Sequence, residues 1–274
     1  MSLPAFILDE DDSSEVQVVN PPLKWAGGKR WLVPELKKLL SNYSDRRLVE
    51  PFVGGMAVSL GLQPKRALLN DLNPHLINFY EQLKAGLRRS IQMVNSREYY
   101  QYARDRFNSL LHVEDADLAE KAELFYYLNR TAFNGLCRFN SKGQFNVPFG
   151  KYQKINYPLD FIKYQNQFAN WDFTCCDFET LQITETDVIY VDPPYDVEFT
   201  KYSKEDFSWQ DQQRLVIWLS SFKNPIIASN QGTDRIINLY TDAGFKITKL
   251  SAPRRISCNG DRSPAVEILA TKNL

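Results

Sequence analysis

Seven short runs along the chain concentrate β-branched, aliphatic and aromatic residues between turn formers. They are RRLVEPF (46–52), RALLND (66–71), DFTCCDF (172–178), DVIYVD (187–192), PIIASN (225–230), FKITKLSA (245–252) and AVEILAT (265–271). Such runs read as strands. Helix-like segments lie between several of them. WLVPELKKLLSNY (31–43) follows GGK, and SWQDQQRLVIWLSSF (208–222) opens with Ser208 and Asp211 in capping-box spacing. TDRIINLYTDAGF (233–245) carries Gly244 where a helix ends in the left-handed conformation. Strand and helix in alternation predict an α/β fold, a doubly wound and mostly parallel sheet. The last two strands are joined only by a loop and predict an antiparallel pair.

The middle of the chain breaks this alternation. SREYYQYARDRFNSLL (96–111) and DADLAEKAELFYYLNRTAF (115–133) read as helices, and Leu118, Ala122 and Phe125 share one face of the second. NGLCRFNSKGQFNVPFG (134–150) is rich in Asn and Gly and suits a β-hairpin with SKGQ at its turn. The pattern therefore predicts an inserted helical unit over 74–161. It interrupts a sheet domain made of 20–73 and 162–274. The acidic start, 1–19, reads as a disordered tail.

Composition narrows the classes. A chain of 274 residues with 43% hydrophobic and 24% charged residues is ordinary for a globular protein, and no stretch has the apolar length of a membrane span. Cys137, Cys175, Cys176 and Cys258 show neither metal spacing nor a disulfide framework, and the adjacent pair reads as buried free thiols. His75 and His112 are too isolated for a metal site. The expectation is a reduced, cytoplasmic protein without metal or membrane partner. Net charge is zero, yet Leu124 to Leu159 contains no Asp or Glu, while Arg130, Arg138, Lys142, Lys151 and Lys154 are cationic. Nine aromatic residues share that segment. This composition fits a nucleic-acid surface, and it equally fits a core segment with a few solvated cations.

Three segments end predicted strands, where open α/β sheets place their ligands. In VEPFVGGMAV, Gly54 and Gly55 let the backbone turn closely round a ligand or simply make a tight turn. In LLNDLNPHLI, Asp71 stands where a carboxylate takes the ribose hydroxyls of a nucleoside, or caps a helix. In DVIYVDPPYD, Pro193 and Pro194 stop the strand and stiffen the loop that carries Asp192 and Tyr195. A carboxylate and the Pro193 carbonyl held this way can both accept hydrogen bonds from the exocyclic amine of adenine. That localises a lone pair otherwise delocalised into the ring, while Tyr195 offers a stacking face. The structural alternative is a proline-stiffened turn whose Asp caps a helix.

In this order the motifs resemble the Dam-type, D12-class DNA adenine-N6 methyltransferases. The resemblance runs from PPLKWAGGKRWLVPEL through EPFVGG, NDLNPHLI, NRTAFNGLCRFNSKGQFNVPFGKY and VDPPYD to RRISCNGDRSPAVEILA. It implies a Rossmann-like methyltransferase sheet, S-adenosylmethionine as methyl donor and adenine in double-stranded DNA as acceptor, within GATC. It assigns Trp25, Lys29, Phe52, Gly54, Asp71, Asp177, Phe178 and Asp192 to the cofactor. Asp192, Pro193, Pro194 and Tyr195 form the catalytic loop. Lys24, Phe133, Asn134, Leu136, Arg138 and Pro148 contact the target bases, with Phe133 inserted where a flipped adenine leaves. From charge and loop position, Arg254, Arg255, Asn259 and Arg262 hold phosphates. Met56 departs from the family loop F-x-G-x-G, where a final glycine is expected, and a side chain there would crowd the cofactor or bend the turn. The rival readings are methylation of structured RNA or of a protein amide, and a DNA-binding relative without activity. A monomer is expected.

Overall fold

The computed structural model describes residues 19–158, 160–195, 207–252 and 265–274. Arg254, Arg255, Asn259, Arg262, Cys258 and residues 1–18 of the expected tail lie outside them. Val19, the last residue of that tail, is buried.

All seven predicted strands are present: β1 (Arg47–Glu50), β2 (Ala67–Asn70), β3 (Trp171–Thr174), β4 (Asp187–Val191), β5 (Ile226–Gln231), β6 (Lys246–Ala252) and β7 (Ala265–Lys272). They form one sheet in the order β3-β2-β1-β4-β5-β7-β6. The first five pair in parallel, while β7 runs antiparallel to both β5 and β6. This is the mostly parallel, doubly wound sheet expected, with its antiparallel pair at the C-terminus. Val49 of β1 lies opposite Leu68 on one side and Ile189 on the other. All three are apolar because a central parallel strand is covered on both faces. The strand order reverses between β1 and β4, so the loops leaving those strands diverge and open a crevice between them.

The helices are α1 (Val33–Leu39), α2 (Ala57–Leu62), α3 (Pro74–Lys84), α4 (Arg97–Ser109), α5 (Leu118–Thr131), α6 (Ile162–Phe168), α7 (Trp209–Ser220) and α8 (Asp234–Asp242). The capping box of Ser208 and Asp211 starts α7, and Gly244 adopts φ 80° after α8. The segment 31–43 is shorter as a helix than its pattern predicts, since 3-10 turns at Arg30–Leu32 and Ser41–Tyr43 flank α1. No helix is long and apolar enough to cross a membrane among the described residues.

β2 and β3 are neighbours in the sheet, yet α3, α4, α5, the hairpin and α6 all lie between them in sequence. Pro74 sits at the first helical position of α3, and the Asn73 side chain accepts from the backbone N–H groups of His75 and Leu76. The α3 residue Tyr80 donates its hydroxyl to the Gly54 carbonyl at 2.6 Å, and Lys84 donates to the Trp171 carbonyl. One apolar cluster runs from the sheet face, at Leu69 and Tyr190, through Phe79 and Phe125 to Phe107 and Phe145 of the insertion. The hairpin is held by antiparallel bridges at Ala132 with Phe149 and Phe139 with Phe145. Asn140 folds its turn by accepting from the N–H groups of Lys142 and Gln144.

One compositional expectation needs correction. Cys175 is exposed, because β3 is an edge strand and the residue follows its last paired position. The acid-free segment is divided: most of its aromatics pack inward, while Arg138, Lys142, Lys151 and Lys154 are exposed. Phe125, Tyr126, Tyr127 and Phe145 are buried, and Phe133 is the exposed one of the nine aromatics. Composition counts side chains without saying which way a helix turns them.

Candidate active site

Four loops at the carboxyl ends of β1 to β4 meet above the sheet. Asn70, fully buried at the end of β2, ties three of them together. Its amide donates to the Pro51 and Cys176 carbonyls at 3.0 and 2.9 Å and accepts from the Thr174 hydroxyl and the Cys176 N–H. A buried amide with its bonding capacity filled is an inexpensive rigid joint.

In the loop after β1, Gly54 donates its N–H to Asp71 Oδ2 at 3.0 Å. A Cβ at Gly54 would lie 2.9 Å from the Trp25 indole nitrogen, so only glycine permits this approach. Met56 takes the left-handed conformation, φ 60°, and is buried in the apolar core. The loop therefore keeps a glycine-like turn, with the Met56 side chain directed inward. Asp71 also accepts from the Asn73 N–H at 3.0 Å, leaving lone pairs on both oxygens, and burial raises its pKa. Phe52 packs its ring on Phe178 and Phe207. Phe178 is buried beneath the Arg214 guanidinium, and Arg214 pairs with Asp177 at 2.8 Å. The glycine turn, the carboxylate beside it and the aromatic wall match the polar and apolar halves of a nucleoside. The residues present thus fit an S-adenosyl group.

Asp192 leaves β4 at the switch point with its side chain 22% exposed. Its Oδ1 accepts from the Ser229 hydroxyl at 2.9 Å and lies 3.1 Å from the Lys29 ammonium. Among the described residues Oδ2 accepts nothing. Ser229 shares a hydrogen with the Tyr190 hydroxyl at 2.8 Å. Lys29 is only 3% exposed, donates to the Gly27 carbonyl, and lies 3.8 Å from Glu267 and 5.0 Å from the Tyr195 ring centre. Burial raises the Asp192 pKa to about 6 against the opposing pull of Lys29 and Ser229. Burial also lifts the Tyr195 hydroxyl well above the usual phenol range, and Asp192 adds to that shift. Glu50, at the end of β1, accepts a short hydrogen bond from Ser59 and is pushed up to about 8 by burial. It is therefore mostly a neutral acid at pH 7.

The predicted base-contacting residues gather on the hairpin and beside it. Phe133 is 49% exposed on a 3-10 turn, and Asn134, Leu136, Arg138 and Pro148 are also exposed. The Phe133 N–H donates to the Pro148 carbonyl, which ties these two positions together. Arg138 donates Nε to Asn146 Oδ1 at 2.8 Å while its side chain stays exposed. Lys24 is held at its backbone by the buried Asn129, which accepts from its N–H and donates to its carbonyl, both at 2.8 Å. The Lys24 ammonium lies 3.6 Å from the Tyr152 ring centre. Burial and the nearby Arg130 lower its pKa to about 8.

The pattern reading missed Ser229, Glu267, Glu50, Asn70, Asn129 and Asn146. Ser229, Glu50, Asn70 and Asn129 are buried, and only burial shows that such a polar group must have a partner; Glu267 and Asn146 emerge only from their proximity to Lys29 and Arg138. Asn129 left a trace as an uncharged amide in the apolar run LFYYLN.

Comparison with known proteins agrees with this geometry. Residues 25–256 match the profile of the D12 class N6 adenine-specific DNA methyltransferases. The chain is 39% identical to a DNA adenine methylase of Vibrio cholerae over 90% of its own length and 94% of that protein's. It is 36% identical to a DNA adenine methylase of Haemophilus influenzae, covering 91% of this chain and 92% of the other. Against the DNA N-6-adenine-methyltransferase of Escherichia phage P1 it is 37% identical over 90% of its length, but it spans only 34% of that larger protein. From its sheet, its strand-end loops and these matches, the chain belongs to the D12 class of N6 adenine-specific DNA methyltransferases.

Proposed function

We propose that the protein methylates N6 of an adenine flipped out of duplex DNA within GATC. The observation that carries this reading is the Asp192 carboxylate at the switch point of the sheet: one oxygen is pinned by Ser229 and Lys29, and the other accepts nothing among the described residues. S-adenosylmethionine, the methyl donor of this class, supplies an electrophilic methyl carbon on a sulfonium. Gly54, Asp71, Phe52, Phe178, Asp177, Trp25 and Lys29 would hold it.

Asp192 Oδ2 and the Pro193 carbonyl accept from the two hydrogens of the adenine amine and so direct its lone pair out of the ring plane. Pro193 and Pro194 keep both acceptors in place, and preorganised acceptors need no reorganisation during reaction. Asp192 acts by orienting, since the amine loses its proton readily once the nitrogen is alkylated. Tyr195 supplies a stacking face. Extrusion of the base costs about a few kcal/mol, and Phe133 fills the gap it leaves.

Residues 74–161 form the target-recognition unit on a catalytic domain of 20–73 and 162–274, which works as a monomer. Arg138 reads a guanine through its terminal nitrogens, Lys24 reads the first base, and Leu136 and Pro148 meet thymine methyl groups, with Asn134 between them. A bidentate Arg–guanine contact discriminates by about 1–3 kcal/mol. What supports this assignment is the shared exposure of Asn134, Leu136, Arg138 and Pro148 on one hairpin, with Lys24 fastened beside it by Asn129.

Incubation of unmethylated plasmid with protein and methyl donor, followed by nucleases that cut only unmethylated or only methylated GATC, tests the reading. Structured RNA and protein acceptors serve as parallel arms. Conversion confined to GATC is expected. Modification at another sequence removes the specificity assignment, and transfer to RNA or protein alone removes the duplex DNA substrate.

A further inference from the structure

Two fully buried amides stand behind the catalytic loop, and the methyl-transfer reading gives neither a part. Gln212 belongs to α7 and Asn230 to β5, and neither is exposed to solvent. Asn230 Oδ1 accepts from the Gln231 N–H at 2.8 Å, which fixes the orientation of its amide. Its Nδ2 must then face outward, and it donates to Gln212 Oε1 at 3.0 Å. That bond in turn fixes Gln212, whose Nε2 donates to the Pro194 carbonyl at 2.8 Å. The three bonds run in one direction from a strand backbone to the proline loop, and reversing any amide would set oxygen against oxygen.

The loop has need of such a bond. Pro193 and Pro194 have no N–H, so the sheet cannot hold them through its ladder. Asp192 is secured through its side chain, by Ser229 and Lys29. The Pro194 carbonyl is the backbone group of the loop that receives a side-chain donor among the described residues. A helix whose N-terminal capping box is closed by Ser208 and Asp211 presents that donor from its second turn.

We propose that Gln212, oriented by Asn230, is a positioning residue for methyl transfer: it clamps the Pro194 carbonyl and thereby sets the direction in which the Pro193 carbonyl and Asp192 face the target amine. This rests on the function proposed above. The Pro194 carbonyl is occupied by Gln212, so in this reading the preceding carbonyl, of Pro193, is the loop's backbone acceptor for the substrate.

The decisive variant is Gln212→Glu, nearly isosteric: ionised, it still accepts from Asn230 but cannot donate to Pro194, whereas a neutral buried acid could restore that bond, so the rate is read from about pH 7 to 9.5. Asn230→Asp is the remote counterpart. Ionised, it puts an acceptor opposite Gln212 Oε1, so the Gln212 amide turns over and its oxygen faces the Pro194 carbonyl. Single-turnover methylation of a GATC duplex should fall by about a hundredfold in both, the order expected for a displacement near 1 Å. KM for the methyl donor and the Kd for DNA should stay within about threefold of wild type. A purely structural role would lower thermal stability and raise both KM and Kd together.

A wild-type rate across that whole pH range in a folded Gln212→Glu protein overturns the proposal. If Gln212→Glu does not fold, Gln212→Met retains the volume without the polar atoms. Failure of both to fold overturns the proposal as well, since the pair would then serve the core and not the loop. Absence of methylation by the wild-type protein would overturn the parent reading instead, and the two failures are distinguishable.

Discussion

Replacing Lys29 by Met removes the ammonium 3.1 Å from Asp192 and leaves that carboxylate facing Glu267 without the cation between them. Two unit charges 3.1 Å apart attract by about 5 kcal/mol at an effective dielectric of about 20. Asp192 is 22% exposed, so water screens part of this, and the shift expected for losing one adjacent charge is about 1–3 pKa units. The sign is upward, because the lost partner favoured the ionised form. Asp192 begins at about 6 in the wild type. At pH 7.5 the wild-type carboxylate is then more than about nine-tenths ionised, and a two-unit rise leaves about a quarter ionised. A protonated carboxyl is the weaker acceptor for the adenine amine, so the acid limb of the pH–rate profile should move to higher pH. The assay is kcat/KM for a GATC duplex at saturating methyl donor, measured from about pH 5.5 to 9.5, because kcat/KM reports groups in the form that meets the DNA. Activity in Lys29→Met should recover partially as pH rises. Superimposable acid limbs, with the variant lower by one constant factor at every pH, would refute the coupling and leave Lys29 a purely structural or donor-binding residue.

Glu50→Gln should flatten the pH dependence of stability. The buried Glu50 carboxyl titrates at about 8 against an ordinary value of 4.5, so its contribution is complete below about pH 4.5 and is lost as pH rises through about 8. The variant should gain on the wild type between about pH 5 and 8 by up to ~1.4 kcal/mol per pH unit, and parallel melting curves at the two pH values would contradict this. Lys24 loses its proton as pH rises through about 8. Duplex affinity by fluorescence anisotropy at fixed salt should therefore weaken from pH 7 to 9 in the wild type and change less in Lys24→Met; equal slopes would show that Lys24 does not meet the DNA. Phe133→Ala should leave thermal stability within about 0.5 kcal/mol, since the ring is half exposed. It should also reduce the fluorescence rise of 2-aminopurine at the target position, and an undiminished rise would remove Phe133 from base flipping.

Much of the architecture was legible before any coordinates. Each strand carries its own signal, a short β-branched or aromatic run, and the capping box at Ser208 and the terminator at Gly244 are local chemistry. The helices that went unanticipated are α2, α3 and α6. α2 is six residues with glycine inside it, and α6 is seven residues with no side-chain cap. Neither is long enough to show a period. α3 did announce itself, through Asn73 as cap and Pro74 at the first helical position, but those residues read equally well as the turn into an insertion.

The aromatics of 124–159 mark the other limit. Their number left a surface and a core reading equally open, and most pack into the core shared with the sheet, where the contact of α5 with α3 decides their place.

Sequence alone determined the order of the motifs, the proline-stiffened end of β4 and the glycine turn after β1. These are properties of single residues and their immediate neighbours, such as a missing N–H or a permitted φ. Only the tertiary structure decided that Ser229 and Lys29 share one oxygen of Asp192, that Asn129 fastens Lys24 to the base of the hairpin, and that Gln212 reaches Pro194. Those pairings join residues distant along the chain. They arise because a buried polar group must find its partner among whatever the packed elements bring within about 3 Å.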